Sequence, residues 1–136
     1  NTFGEWSGKA AGGSSGKECL QINVKDNSAF GSFVQIPAVD GTIEKIEVTI
    51  REPYKGRAIG IFPVGYTYTK DTLDKMKEQL AKDAIAISNE TPSDVNNNEP
   101  FTFVIDNLSA KNLTQFSIFP TLGAVSITAI TVTYSK

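Results

Sequence analysis

The side chains best suited to chemistry in this sequence are aromatic rings accompanied by planar cations. The set comprises Trp6, Arg51, Tyr54, Arg57, Tyr66 and Tyr68. Sugar rings stack their apolar C–H faces on aromatic rings, and guanidinium groups donate hydrogen bonds in a planar fork. Arg51, Tyr54 and Arg57 flank one predicted loop. The pattern therefore predicts a shallow carbohydrate-binding site at a loop edge.

Each aromatic residue also has a structural interpretation. Tyrosine favours strands, so a structural role is the stronger expectation for Tyr54, Tyr66 or Tyr68 taken singly. Trp6 stands alone in a Gly/Ser-rich stretch. We expect it to pack against the domain rather than to face a ligand, because exposed tryptophan is costly. The carbohydrate hypothesis thus depends on several of these side chains meeting at the surface.

Aspartates at predicted turns and strand ends are the candidates for a hard-cation site. They are Asp26, Asp40, Asp94 and Asp106. Calcium binds carboxylate and backbone carbonyl oxygens, although these residues lack the spacing of an EF-hand loop. Aspartate is also a common turn residue, and this is the favoured explanation. The alternative is a structural calcium ion bound by Asp26, Asp40 and Asp106.

The chain contains few of the residues and motifs that enzymes commonly use in catalysis. There is no histidine, which removes Ser-His-Asp triads, thiol–histidine pairs and the commonest transition-metal sites. No two carboxylates lie in the kind of apolar setting that a glycosidase acid needs. The Gly-rich start lacks the Lys-Ser/Thr of a phosphate-binding loop. We expect no enzymatic activity and, calcium aside, no cofactor.

Length and charge limit the domain count and the classes of partner. A chain of 136 residues fits one domain, 1–136, in which the Gly-rich residues 1–17 form a flexible lead-in. The net charge of −2 makes nucleic acid and anionic membranes poor partners. No apolar run approaches the length of a membrane-spanning helix, so we expect no membrane insertion. A monomer is the expected state.

No signal peptide is recognisable at the start of the sequence, and this observation has two explanations. The protein is intracellular, or a leader has been removed; the appearance of the lead-in favours removal and an extracellular or cell-surface location. Cys19 is the sole cysteine, which rules out an internal disulfide. We interpret it as a small buried hydrophobic residue.

Strand-like alternation dominates the pattern of apolar residues. The clearest one-sided strand carries Ile46, Val48 and Ile50, and a hairpin over 115–134 closes the chain. In that hairpin the hydroxylated face is expected to meet water. The alternation slips by one residue near Ala129, which predicts a β-bulge there. Residues 58–64 are nearly all apolar, which predicts a central strand covered on both faces and continued by residues 66–68.

Helical spacing replaces this alternation over residues 71–83, with Asp71 or Thr69 as the predicted N-cap. We interpret the helix as a lid across one end of the domain. Short strand-like runs separated by turns then predict an all-β fold, an antiparallel β-sandwich of jelly-roll style with about eight strands and this one inserted helix. A Greek-key sandwich of immunoglobulin type is the alternative.

Three stretches carry a resemblance to a known group of proteins: SGKECLQINV, VDGTIEKIEVTI and QFSIFPTLGAVSITAITVTY. With these stretches the chain resembles the jelly-roll, galactose-binding-like modules of secreted and cell-surface Bacteroidetes proteins, many of which have no assigned function. The resemblance implies an exported accessory domain. Together with the Tyr/Arg group it favours a non-catalytic, extracellular carbohydrate-binding module. An adhesion or spacer domain with a protein partner is the alternative.

Overall fold

Two antiparallel sheets and one helix form the domain. The computed structural model describes residues 7–9, 20–24, 33–70 and 72–136. In chain order the strands are β1 (Ser7–Lys9), β2 (Leu20–Ile22), β3 (Phe33–Gln35), β4 (Thr42–Arg51), β5 (Ile59–Phe62), β6 (Ala86–Ile87), β7 (Phe101–Ile105), β8 (Ser117–Pro120) and β9 (Val125–Ser135). The helix α1 (Leu73–Asp83) lies between β5 and β6, and a 3-10 turn (Ser109–Lys111) precedes β8. The predicted all-β sandwich with one inserted helix is confirmed.

Strand order identifies the sandwich as a jelly roll. One sheet has the order β1-β3-β8-β5-β6, and the other has the order β2-β9-β4-β7. β2 pairs with β9, β3 with β8, β4 with β7 and β5 with β6. These are the pairs produced when one long antiparallel hairpin of eight strands is rolled into two sheets. The immunoglobulin-type alternative does not describe this order.

The main core lies between the two sheets and is largely aliphatic. Its members from the strands are Ile22, Ile43, Ile46, Val48, Ile50, Phe103, Ile105, Val125 and Ile127 on the four-stranded sheet, and Val34, Ile59, Ile61 and Ile118 on the five-stranded sheet. Along the second half of β4, buried and partly buried residues alternate strictly, because successive side chains of a strand point to opposite faces. The one-sided strand predicted for Ile46–Ile50 is confirmed.

β9 contains the bulge that its sequence predicts. Thr49 of β4 pairs with Ala129, and the next pair joins Ile50 to Ile127, which leaves Thr128 as the extra residue. Apolar side chains on both sides of the bulge consequently pack on the same core. A one-residue insertion restores the inward phase that the sequence pattern loses at this point.

α1 adds a third layer on the outer face of the five-stranded sheet. Met76 and Leu80 are fully buried and pack with Phe62, Tyr68 and Phe119. Phe62 and Phe119 point away from the main core, since the residue before each of them points into it. The helix therefore docks on a sheet face, and the expectation of a lid across one end is wrong. Phe62 of β5 and Phe119 of β8 supply the apolar surface that the helix covers there.

The helix begins at Leu73, within two residues of the prediction, but its N-cap is Thr72 rather than Asp71 or Thr69. The Thr72 side chain accepts a hydrogen bond from the backbone N–H of Lys75 at 3.4 Å. A hydroxyl at this position satisfies one of the free N–H groups of the first turn.

β5 ends earlier than its sequence suggests. The carbonyl of Pro63 accepts the N–H of Tyr66 at 3.1 Å, and Gly65 adopts a φ of 85°. This turn leads the chain away from the sheet, so residues 66–68 do not continue the strand. β5 itself is buried at every position and lies between β8 and β6, which confirms a strand covered on both faces.

The outer face of β8 is dry, contrary to the expectation of a hydroxylated face in water. Ser117 is 1% exposed and pairs across the sheet with Phe62, which lies beneath α1. Among the described residues, Ser117 Oγ is the one buried side-chain oxygen or nitrogen without a hydrogen-bond partner. The helix layer therefore covers a face whose sequence still alternates.

Two sheet edges have features that the sequence did not indicate. β1 lies within the predicted flexible lead-in, and its residues pair with β3, with Ser7 opposite Gln35. Edge pairing uses backbone groups alone, so composition gives no sign of it. At the other sheet, the side-chain oxygen of Asn89 accepts the backbone N–H of Val104 at 3.2 Å. This bond caps part of the free edge of β7.

Gly41 is expected to be intolerant of any side chain. A Cβ at this position would overlap the carbonyl group of Ser135, where the start of β4 meets the end of β9. Gly41→Ala should lower the free energy of unfolding by about 3 kcal/mol, measured by urea denaturation. Gly56→Ala is the control, since nothing surrounds that position and only its left-handed backbone is strained, by about 1 kcal/mol. Equal losses at both glycines would contradict the close approach.

Ser117→Ala is expected to leave stability unchanged or to raise it by up to about 1 kcal/mol, because the substitution removes a buried hydroxyl without a described partner. Ser88→Ala is the matched control. Its hydroxyl accepts the N–H of Ile59 at 3.0 Å and donates to the carbonyl of Asn89 at 2.9 Å, so its loss should cost about 1–3 kcal/mol. Thermal and urea unfolding measure both. Similar losses in the two variants would show that the Ser117 hydroxyl is bonded.

Candidate functional site

Three loops meet at the end of the sandwich where β4 ends. They connect β4 to β5 (52–58), β6 to β7 (88–100) and β8 to β9 (121–124). β4, β6 and β8 run in the same direction, so the connections that follow them emerge at one end. We call this region the loop end.

Thr91 ties two of these loops together. Its hydroxyl donates to the carbonyl of Tyr54 at 2.6 Å and accepts the N–H of Arg57 at 2.8 Å. Its backbone N–H donates to the carbonyl of Arg57 at 2.9 Å, and its carbonyl accepts the N–H of Gly56 at 3.2 Å. Thr91 is 3% exposed. The conformation of residues 54–57 therefore depends on one buried threonine.

Tyr54 and Arg57 form a pair on the first of these loops. Tyr54 is 58% exposed, and Arg57 Cζ lies 5.9 Å from the centroid of its ring, within the range of a cation–π contact. Arg57 Nε donates to the carbonyl of Ala124 at 3.1 Å. The guanidinium also lies against Gly123, where a Cβ would come within 2.9 Å of it. The third loop thereby fixes the cation beside the exposed ring.

A shallow groove of about 240 Å³ lies at the same end of the molecule. It is lined by Arg51, Glu52, Asn97, Asn98, Glu99 and Pro100. Arg51 Nη2 donates to Glu52 Oε1 at 2.8 Å, so this ion pair is part of the wall. Glu52 has a φ of 47°, a left-handed conformation that costs a non-glycine residue on the order of 1 kcal/mol. Towards hydroxyl groups, the amides can donate and accept hydrogen bonds, the carboxylates accept them and the guanidinium donates them.

Tyr66 and Tyr68 lie on the outer face of the five-stranded sheet, apart from this groove. Tyr68 is 1% exposed, so the structure removes it from the predicted ligand-binding residues. Tyr66 stacks on Phe62, with 4.5 Å between ring centroids, and donates its hydroxyl to Asp83 Oδ2 at 2.9 Å. Burial and the Asp83 carboxylate raise the pKa of the Tyr66 phenol. Tyr66 therefore stays protonated and holds α1.

Of the six predicted ligand-binding residues, the loop end brings together Arg51, Tyr54 and Arg57, and Trp6 lies outside the described residues. Thr91 and residues 97–99 were not among the residues predicted for the site. They belong to the loop of residues 88–100, which is rich in asparagine. The pairing of β4 with β7, in which Ile50 lies opposite Phe101, places the end of that loop beside Arg51.

The predicted calcium site has no support in residues 33–70 and 72–136. Asp40 lies 3.5 Å from the Lys136 ammonium, and Asp106 Oδ1 accepts the side-chain N–H of Asn107 at 3.2 Å. In the part of the chain that the structure describes, no three acidic or cysteine side chains are grouped to hold a metal ion. Asp94 belongs to a loop at the opposite end from Asp40 and Asp106, and Asp26 lies outside the described residues.

Thr91→Val should loosen the loop end and destabilise the protein. The substitution keeps the volume but leaves the part-buried carbonyl of Tyr54 and N–H of Arg57 without their partner, at a cost of about 1–2 kcal/mol. Urea unfolding gives the stability, and amide hydrogen exchange at residues 54–57 gives the local effect. Thr102→Val is the control, because its hydroxyl bonds to Thr49 at 3.0 Å on the exposed sheet face. No faster exchange in Thr91→Val would show that the loop is held by other contacts.

Comparison with known proteins gives no match to a family model, to a curated protein or to a solved structure. Among the described residues, no helix is long and apolar enough to cross a membrane.

Proposed function

We propose that this domain is a non-catalytic module of an extracellular or cell-surface protein, and that it binds carbohydrate at the loop end. The observation that carries the proposal is the Tyr54 ring, which is 58% exposed on a loop fixed by Thr91 and Arg57. A fixed, exposed aromatic ring offers a surface on which the apolar face of a sugar can stack.

The polar half of the proposed site is the groove at the same end of the sandwich. Asn97, Asn98 and Glu99 line this groove, and their amides and carboxylate match the donors and acceptors of sugar hydroxyls. At about 240 Å³ the groove is smaller than the roughly 300–1,000 Å³ of pockets that enclose drug-sized ligands. Its size favours contact with one sugar unit rather than enclosure of a chain.

Rigidity supports the same proposal. Arg57 is bonded through Nε to the β8–β9 loop, and its Cζ lies 5.9 Å from the centroid of the Tyr54 ring, where a cation–π contact favours this arrangement. Ligands bind more tightly to side chains that do not have to be ordered on binding. The cation and the loop that carries the ring are thus held in place by contacts within the protein.

The test is a glycan array probed with the wild-type domain, followed by calorimetric titration of the glycans that it retains. Tyr54→Ala should weaken binding by about tenfold, the loss expected when one aromatic stacking partner is removed. Tyr134→Ala is the matched control. Tyr134 is 39% exposed, but it pairs with Ile43 at the opposite end of β4. The Tyr134→Ala variant should therefore bind the glycan with the affinity of the wild type.

Two outcomes would contradict the proposal: retention of no glycan by the wild type, or equal losses in the two tyrosine variants. Hydrolysis of a retained glycan would contradict its non-catalytic part.

The second candidate is an adhesion or spacer domain, which one observation favours. Ile87 and Val104 are 44% and 38% exposed on the edge strands of the two sheets. Burial of either side chain against a partner protein would remove apolar surface from water, which favours association. Sedimentation velocity at increasing concentration, with Ile87→Ser as the variant, would detect self-association through this edge.

A further inference from the structure

A second, larger groove lies between α1 and the segment 69–70. Its volume is about 740 Å³, and its lining consists of Thr69, Lys70, Lys75, Glu78, Gln79, Lys82 and Asp83. The helical members recur once per turn, so they form a single stripe along α1. Every lining side chain is polar, and none of them belongs to the loop end.

Hydrogen bonds fix both walls of this groove. Gln79 Oε1 accepts the backbone N–H groups of Thr69 at 3.0 Å and Lys70 at 3.3 Å, which ties the segment to the helix. Met76 and Leu80 are fully buried beneath the helix. The groove therefore exists before any ligand enters it.

The positive charges that line the groove outnumber the negative ones, with three lysines and two carboxylates. Lys70 lies on one wall, and Lys75 and Lys82 lie on the other, together with the carboxylates of Glu78 and Asp83. Asp83 accepts the Tyr66 hydroxyl. Ion pairs among the described residues involve the four-stranded sheet and its ends, and none includes a lysine of the groove.

We propose that this groove binds a compact polyanion that carries several sulfate or phosphate esters. Ammonium groups on two facing walls can each engage a different oxyanion of one ligand, with charge-assisted hydrogen bonds. The amide of Gln79 and the hydroxyl of Thr69 add neutral partners. The volume lies within the range of small-molecule sites. This site is independent of the proposed carbohydrate site, which presents an aromatic ring instead.

The test is calorimetric titration of the full chain with sucrose octasulfate and with inositol hexakisphosphate, at low and at physiological salt. The wild type should bind at least one probe, with an affinity that falls as salt rises. The double variant Lys75→Gln/Lys82→Gln should weaken binding by about tenfold. Glu78→Gln removes a carboxylate from the wall and should strengthen binding by about threefold.

The matched control is Lys45→Gln/Lys136→Gln, which removes the same charge from residues paired with Glu47 and Asp40. It should bind like the wild type, as should Tyr54→Ala, which disrupts only the carbohydrate site. A preference for one probe identifies the ester and supports the proposal. Equal losses in the two lysine double variants would reduce the effect to net charge and overturn it. Absence of binding by the wild type to both probes would overturn it as well.

Discussion

The ladder between β4 and β9 is the constraint on which the rest of this structure depends. It joins residues 42–51 to residues 126–135, with one bulge and one further irregularity in register. β5 to β8, α1 and the three loops of the loop end all lie between these strands in the chain. Pairing of β4 with β9 closes the chain between them into one long loop, which costs conformational entropy. The sandwich and its loops form only if the contacts of this ladder offset that cost. The site at the loop end is therefore supported by strands that contain none of its aromatic residues.

The elements that could be predicted from sequence are those whose signal is periodic. Alternation marked Ile46, Val48 and Ile50 as the inner face of β4, and its one-residue slip marked the bulge beside Ala129. Helical spacing gave the extent of α1 to within two residues. Periodicity shows which side chains are buried, but not what buries them. For that reason the position of α1 on the sheet, and with it the dry environment of Ser117, was not predictable.

The residues of the candidate site also divide into those that could be predicted from sequence and those that could not. Arg51, Tyr54 and Arg57 were found because they are close in sequence, at the end of β4 and in the loop that follows it. Thr91 and the asparagines of residues 97–98 were missed, since only the register between β4 and β7 brings their loop to Arg51. Tyr66 and Tyr68 were wrongly grouped with Tyr54 because they are near in sequence. The intervening strand β5 carries the chain away from the loop end, and the helix layer then covers both tyrosines in part or in full.

The bond between the Asn89 side chain and the Val104 N–H has a consequence for crowded conditions. A free strand edge can template the addition of a strand from a neighbouring molecule, and repeated addition leads to fibres. Asn89 occupies one of the donors that such growth requires. A strand added at this edge would therefore have to break that bond or pair in a different register.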